Sequence, residues 1–389
     1  MMTKPTPFEK RVKRQVTARE HTFFIIISPG LEQTCLSELK ALFPEKELAI
    51  LDGGIEFNGT VKDCYLANLH LRTASRILMR LDDFNATGFG KLEKKLGEFP
   101  WDLYLSADRP HEVSVNSKKS RLIHSDAIAE RVSKSIYTKL DQTPAELKGL
   151  SQKIHIRVFN DRFYLSLDSS GDLLYKRGLK TGGGKAPVRE TIASHALLMT
   201  GYTGECPLFD PMSGSGSFSI EAAMIACNIP PGWYRSFMFQ QWPCFRDGAW
   251  KDIRREAEKK INLTTETEIY ASDIDSEAID SLTKTVAKTA FKSLIHITQK
   301  DFFKLQPEGV SGNKGIVIIN PPYGLRLDKS KDNALLFNQI FHHFQTEFKG
   351  WTIAVLSPFS SLKGKRSLNI KKYPISHGGL KLFLVIGKS

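Results

Sequence analysis

The sequence predicts an α/β protein in two unlike parts, an α+β region followed by a doubly wound, mostly parallel sheet covered by helices. Three observations predict it. Beyond residue 187 short apolar strands alternate with helical patterns: "CPLFDP", "SFSIEAAMIAC", "EIYASDID", "SEAIDSLTKTVAKTA", "IHITQKD", "GIVIINPPYG", "ALLFNQIFHHFQTEF" and "WTIAVLSP". Before residue 170 the strands suit antiparallel pairing, and "KIHIRVFNDRFYLSLDSSG" alternates on both sides of Asn160-Asp161 as a β-hairpin does. Between the two parts, "SSGDLLYKRGLKTGGGKAPVRE" crowds glycine with basic residues, and the linker is placed at 171–186.

Taken from the start, residues 1–22 read as a basic, flexible leader, since "MMTKPTPFEKRVKRQVTARE" is charged and has no apolar signal core. In "HTFFIIISPGLEQTCLSELKAL" a β-branched and aromatic run, 23–27, stops at Pro29-Gly30. Leu31, Cys35, Leu36, Leu39 and Leu42 then recur at helical spacing. "GGIEFNG" is a further short strand, and "VKDCYLANLHLRTASRILMRL" is helical at first and strand-like at its end. "HEVSVNSKKSRLIHSDAIAERVSKSIYTKL" reads as strand, basic loop and helix. At the other end, "KKYPISHGGLKLFLVIGK" forms two strands around His377-Gly378-Gly379, an antiparallel hairpin added to the edge of the parallel sheet.

Composition narrows the function classes. A chain of 389 residues with 41% hydrophobic and 25% charged residues has ample core for more than one domain and is neither disordered nor fibrous. Lys and Arg outnumber Asp and Glu by 55 to 42, a net charge of +13, which favours polyanionic partners such as nucleic acid. Five scattered cysteines show no metal-ligand spacing and suit a reducing cytoplasm, so no metal is expected. No apolar run reaches the length of a membrane span.

In doubly wound sheets ligands bind beyond the carboxyl ends of the strands. Asp210 ends the first strand in "FDPMSGSGSFSIEAAM", where Ser213, Gly214 and Gly216 form a tight loop with N–H groups exposed at a helix start. Ser219 stands where a dinucleotide fingerprint has its third glycine, and the lysine of a P-loop is absent. The second strand ends in Asp273-Ile274, a carboxylate suited to both hydroxyls of a ribose. The third offers Asp301 to an amino group, and Phe302 or Phe303 to a flat ring. The fourth ends in Asn320-Pro321-Pro322-Tyr323. Each taken alone could be a cap or a turn, but four polar strand ends in chain order are improbable by coincidence.

These strand ends resemble the class I S-adenosylmethionine methyltransferases that modify exocyclic amino or amide nitrogens. The resemblance implies a Rossmann-like, seven-stranded sheet with S-adenosylmethionine as cofactor. "YKRGLKTGGGKAPVRETIASHALLMTGY", "DPMSGSGSFSIEAAMIA", "PPGWYRSFMFQQWP" and "NPPYGLRL" are similar to the THUMP-domain 23S rRNA guanine-N2 methyltransferase group. "FPWDLYLSADRPHEVSVNSKKSRLIHSDAIAERV" is similar to its THUMP region. The implied division is a ferredoxin-like segment at 23–58, a THUMP RNA-binding domain at 59–170 and a methyltransferase domain at 187–389. Ser213 stands where that family often has Cys and Ser217 where it often has Thr.

For such an enzyme, Asn320 and the Pro321 carbonyl would accept the two hydrogens of a nucleobase amine, favouring a more pyramidal, more nucleophilic nitrogen. Tyr323 would stack on a base withdrawn from its helix. Lys118, Lys119, Arg121 and His124, on a loop entering a helix, are candidate phosphate contacts, and the basic stretch 361–372 would guide RNA toward Tyr323. "GWYRSFMFQQWP" is read as a packed aromatic insertion and His195 as structural. The expected partner is ribosomal RNA or its precursor particle, in the cytoplasm, without a membrane. Three other readings stay open: N6-adenine methylation of DNA, which shares the tetrapeptide; protein glutamine methylation; and an RNA-binding ribosome-assembly factor without catalysis. The THUMP-like half argues against the first, the large basic half against the second, and the intact strand ends against the third.

Overall fold

A computed structural model describes residues 5–143, 147–179, 188–307, 314–322, 330–359 and 369–389. The amino-terminal half contains strands β1 (His21–Ile27), β2 (Leu48–Leu51), β3 (Gly54–Gly59), β4 (Ala74–Asn85), β5 (His111–Lys118), β6 (Gln152–Phe159) and β7 (Arg162–Asp168). Its helices are α1 (Pro7–Val12), α2 (Glu32–Leu42), α3 (Val61–His70), α4 (Phe89–Glu98) and α5 (Ser125–Leu140). The strands form one seven-stranded sheet in the order β2-β3-β1-β4-β7-β6-β5. The long strand β4 pairs with β1 on one side and β7 on the other, so the whole amino-terminal half shares a single sheet. The β6–β7 hairpin turns at Asn160 and Asp161, whose φ angles of 50° and 61° are those of the tight turn the sequence predicts.

The carboxy-terminal half has α6 (Glu190–Met199), β8 (Leu208–Asp210), α7 (Ser217–Ala226), α8 (Asp247–Glu258), β9 (Ile269–Asp273), α9 (Ser276–Val286), β10 (Ile295–Gln299), β11 (Ile316–Ile319), α10 (Ser330–Glu347), β12 (Thr352–Ser357), β13 (Ile370–His377) and β14 (Leu380–Lys388). Its seven strands run β10-β9-β8-β11-β12-β14-β13. Pairing is parallel from β10 to β12, and β14 and β13 add the expected antiparallel hairpin at the edge. The order reverses between β8 and β11, which opens a crevice at their carboxyl ends. Among the described residues no helix is long and apolar enough to cross a membrane.

One expectation is corrected here. The leader is not flexible over residues 7–17: it forms α1 and a following π-helical turn through Thr17. Thr6 and Glu9 make a reciprocal capping box, Val12 and Val16 are buried, and Arg11 pairs with Asp102 at 2.7 Å. The two valines fall on one helical face, and the basic residues between them point outward.

A buried ionic network joins the halves. Glu221 sits inside the apolar helix α7 with no exposed surface. It accepts from Arg177 Nε at 2.9 Å and Nη2 at 3.3 Å and from the Ser194 hydroxyl, and Arg72 Nη1 lies 3.7 Å away. Arg177 also donates to the Leu174 and Arg72 carbonyls, at 2.8 and 2.7 Å. Burial alone would raise the Glu221 carboxyl, but the Arg177 and Arg72 charges and the bonds from Arg177 and Ser194 outweigh it and hold it below the ordinary value. A second clamp comes from the aromatic insertion, where Arg235 donates to the Leu173, Lys176, Ser170 and Asp172 carbonyls at 2.7 to 3.0 Å. Its rings are packed, as expected: Phe237, Phe239 and Trp242 are buried, and Phe239 stacks on Tyr65 of α3. His195 is structural, its Nδ1 2.9 Å from the Thr34 hydroxyl, and burial lowers it to about 4.

Removing one member of a buried ion pair leaves an uncompensated charge, so Arg177→Met should cost about 3 to 5 kcal/mol in denaturant unfolding. Arg177→Met combined with Glu221→Leu should recover a large part of that loss. Because the folded carboxyl is held down, its stabilisation is complete above the unfolded value of about 4.3 and is lost as pH falls through the folded one.

Candidate active site

The site is assembled from four adjacent strand ends. Asp210 closes β8 and is fully buried, and its Oδ2 accepts from the Ser219 amide at 3.2 Å and hydroxyl at 2.6 Å. The departure from a dinucleotide fingerprint therefore has a structural cause: the serine anchors the strand-end carboxylate to the first turns of α7. Between them the loop folds back on itself, with the Gly216 amide donating to the Ser213 carbonyl at 2.7 Å and the Ser213 amide to the Ser272 carbonyl at 3.0 Å. Gly216 has φ +74°, and a Cβ there would lie 2.2 Å from Leu282 Cδ1 of α9. Gly214, at φ +51°, faces open space, and its amide donates to Asp273 Oδ2 at 2.8 Å.

Asp273 thus holds the loop through one oxygen and the Asp275 amide through the other, at 3.0 Å. A carboxylate has about four acceptor positions, so two remain for ligand hydroxyls. Next to it Ile274 is 71% exposed, an apolar edge beside a polar group. The Lys300 amide donates to the Asp273 carbonyl at 3.1 Å, which brings Asp301 alongside, two residues beyond the end of β10. Asp301 caps a short 3-10 turn, accepting from the Phe303 amide at 3.0 Å. Of the two rings the sequence offers there, Phe302 is buried against His343 and Phe344, whereas Phe303 is 39% exposed. Phe302 can therefore present backbone but not a ring face.

The fourth end completes the crevice. Strand β11 is buried throughout, and Val317 pairs with Phe209, so Asn320 projects two residues beyond the level of Asp210. Asn320 Oδ1 and Ser213 Oγ are buried without hydrogen-bond partners among the described residues. Pro321 is buried and Pro322 exposed at the rim. Tyr323 and residues 361–368 of the basic stretch lie outside the described residues.

Lys118, Lys119, Arg121 and His124 do not join this crevice. They are exposed at the end of the edge strand β5 and the start of α5, in the other sheet, where the Arg121 amide donates to Asp161 Oδ1 at 2.7 Å. The sequence reading missed the Glu221 network altogether. Its signal was a lone carboxylate within the apolar helix "SFSIEAAMIA".

Switch-point crevice, glycine loop and ordered carboxylates together define an S-adenosylmethionine-dependent methyltransferase. The described groups fit that cofactor: two carboxylate acceptor positions for ribose hydroxyls, an exposed aliphatic edge for a base, and an unpartnered Ser213 hydroxyl in the glycine loop. Comparison with known proteins agrees. Residues 177–382 match the RMKL-like methyltransferase domain, 22–78 an RlmL ferredoxin-like domain and 86–168 a THUMP domain. A Synechocystis protein provisionally named an RNA methyltransferase is 30% identical over 379 residues, covering 95% of this chain and 97% of its own. The ribosomal RNA large subunit methyltransferase K/L of Psychromonas ingrahamii is 31% identical over 350 residues, 86% of this chain but 46% of its own. The crystallised protein SMU.472, provisionally described as a methyltransferase and bound to S-adenosylhomocysteine, superimposes with a TM-score of 0.85 at 27% identity, covering 95% of this chain and 98% of its own. The chain belongs to the RMKL-like methyltransferase family and, carrying a THUMP domain, is an RNA methyltransferase.

Asp273→Ala should weaken S-adenosylmethionine binding by the full chain by about 1 to 3 kcal/mol in calorimetry, the cost of removing a group hydrogen-bonded to a ligand. Gly216→Ala should weaken it as well, because the added methyl group must displace Leu282 and with it the loop.

Proposed function

We propose that this enzyme methylates an exocyclic nucleobase amine, guanine N2 of large-subunit ribosomal RNA, as free RNA or in a precursor particle. The observation that carries the reading is Asn320 Oδ1, a buried acceptor without a partner among the described residues, at the end of the buried strand β11. A buried polar oxygen left unpaired costs about 1 to 3 kcal/mol, so its position suits an incoming N–H donor. Bound S-adenosylmethionine supplies an electrophilic methyl group. Asn320 Oδ1 and the Pro321 carbonyl then accept the amine's two hydrogens, and the fixed φ of proline limits how the second acceptor can turn. As charge develops on nitrogen both bonds strengthen, so they stabilise the transition state more than the ground state. No histidine or glutamate base is needed, and the proton leaves to solvent after transfer. Tyr323 follows in the chain as the stacking partner of the extruded base. In this reading residues 23–170 capture RNA and 187–389 carry the reaction.

The K/L name of the Psychromonas relative supports a ribosomal substrate, and the amine-type strand end supports the atom. Loss of the protein should remove one N2-methylguanosine from large-subunit RNA, read by nucleoside mass spectrometry of a deletion strain. An unchanged nucleoside profile would count against this target. Asn320→Ala should depress the single-turnover methylation rate by about a hundredfold or more while leaving cofactor and RNA affinity nearly unchanged. Wild-type rates in that variant would return the segment to a simple strand terminator.

A further inference from the structure

The amino-terminal sheet has one face packed on its helices, through residues such as Ile156, Val158, Phe163 and Leu165. Its opposite face carries a different chemistry toward the distal end, away from the methyltransferase half. Residues paired directly across strands share a face, and the register pairs Tyr164 with Arg157, Arg162 with Phe159, and Phe159 with Lys118. Arg80 lies over the rings of Phe24 and Tyr164, at 4.6 and 5.5 Å. Arg162 lies 5.6 Å from the Tyr164 ring, and Arg157 and Lys119 lie 5.9 and 5.7 Å from the Phe159 ring.

We infer that this distal face is a stacking platform for single-stranded RNA. The inference rests on the RNA reading above and names a surface that reading does not require. Proteins that hold single strands combine flat groups for the bases with cations for the phosphates, and both occur here on one open sheet. Tyr164 and Phe159 are partly exposed although the core lies on the other face. The guanidinium planes resting on them are themselves stacking surfaces. Glu56, Asp83 and Asp52 brace Arg80, Arg162 and Arg157, whereas Lys118 and Lys119 have no carboxylate partner among the described residues. The patch therefore stays positive.

Its dimensions suit a few nucleotides. Strands β4, β7, β6 and β5 are consecutive neighbours, so the face is about 15 Å across at a strand spacing of ~4.8 Å, comparable with four-stranded sheets that stack two or three bases. Duplex RNA hides its base faces and would leave the rings unused. Arg162 lies six residues along β7 from Asp168, where that strand reaches the seam between halves, about 20 Å at ~3.3 Å per residue. RNA held here is a single-stranded flank of the target, remote from the base that reacts.

The test uses the full chain and fluorescence polarisation with a short labelled single-stranded RNA and its duplex form. Phe159→Leu combined with Tyr164→Leu should lower single-strand affinity tenfold or more while leaving S-adenosylmethionine binding and melting temperature near wild type. Arg157→Gln and Lys119→Gln, on exposed side chains, should each lower it several-fold, and they carry the test if the ring variant fails to fold. Undiminished single-strand affinity in the folded variants would overturn the platform, as would a wild-type chain that prefers the duplex. Methylation of large-subunit RNA, both protein-free and in precursor particles, measured in parallel, separates the two claims. If the wild type methylates that RNA and the variants bind single strands normally, the platform is wrong and the enzyme reading stands; ring-dependent binding without any methylation would leave the platform and remove the reading.

Discussion

A carboxylate with no water around it must be satisfied by its neighbours, and the arrangement of this molecule depends on how Glu221 meets that demand. Its partners come from three separate places: Arg177 after the amino-terminal sheet, Ser194 on α6, and Arg72 between α3 and β4. Two residues before it on α7, Ser219 binds Asp210. One helix therefore carries the anchor of the cofactor loop and the anchor of the RNA-binding half within a single turn. Because a buried charge is costly unless fully paired, the relative placement of the halves is specified and not merely favoured by contact area.

The seam is supported at other points. The Ser376 amide of β13 donates to the Pro29 carbonyl at 3.0 Å, so the edge hairpin touches the turn that ends β1. The Trp242 indole donates to Gln152 Oε1 at 2.9 Å, and Arg235 holds the carbonyls of the connecting chain. Residues 170–176, at the start of the predicted linker, are pinned by a side chain from the insertion. Burial lowers Arg235 to about 10, the electrostatic cost of enclosing a cation among carbonyls.

What the sequence made legible was local in origin. Asp210, Asp273 and Asn320 each end or follow a largely buried strand and Asp301 follows the edge strand β10, and a doubly wound order places such ends together without knowledge of any long-range contact. The hairpin at Asn160-Asp161 was readable for the same reason. Partners of Glu221 were not readable, because they depend on packing between segments far apart in the chain. Which of two adjacent phenylalanines turns inward is likewise settled by α10, where His343 and Phe344 receive Phe302. The leader is a different case: the sequence carries the capping box Thr6 to Glu9 with Pro7 at the first helical position, a helix start obscured by the basic composition of the segment and its lack of an apolar core.

Strand β4 has partners along both edges, β1 in the ferredoxin-like piece and β7 in the THUMP piece. Neither piece can be excised without stripping a ladder of amide and carbonyl groups from whichever fragment keeps that strand. An open edge of this length is a template for adding strands from other chains. Truncations drawn at the apparent module boundary are therefore expected to yield insoluble material, and a shuffling event that moved the THUMP piece into another protein would have to carry a replacement for β1.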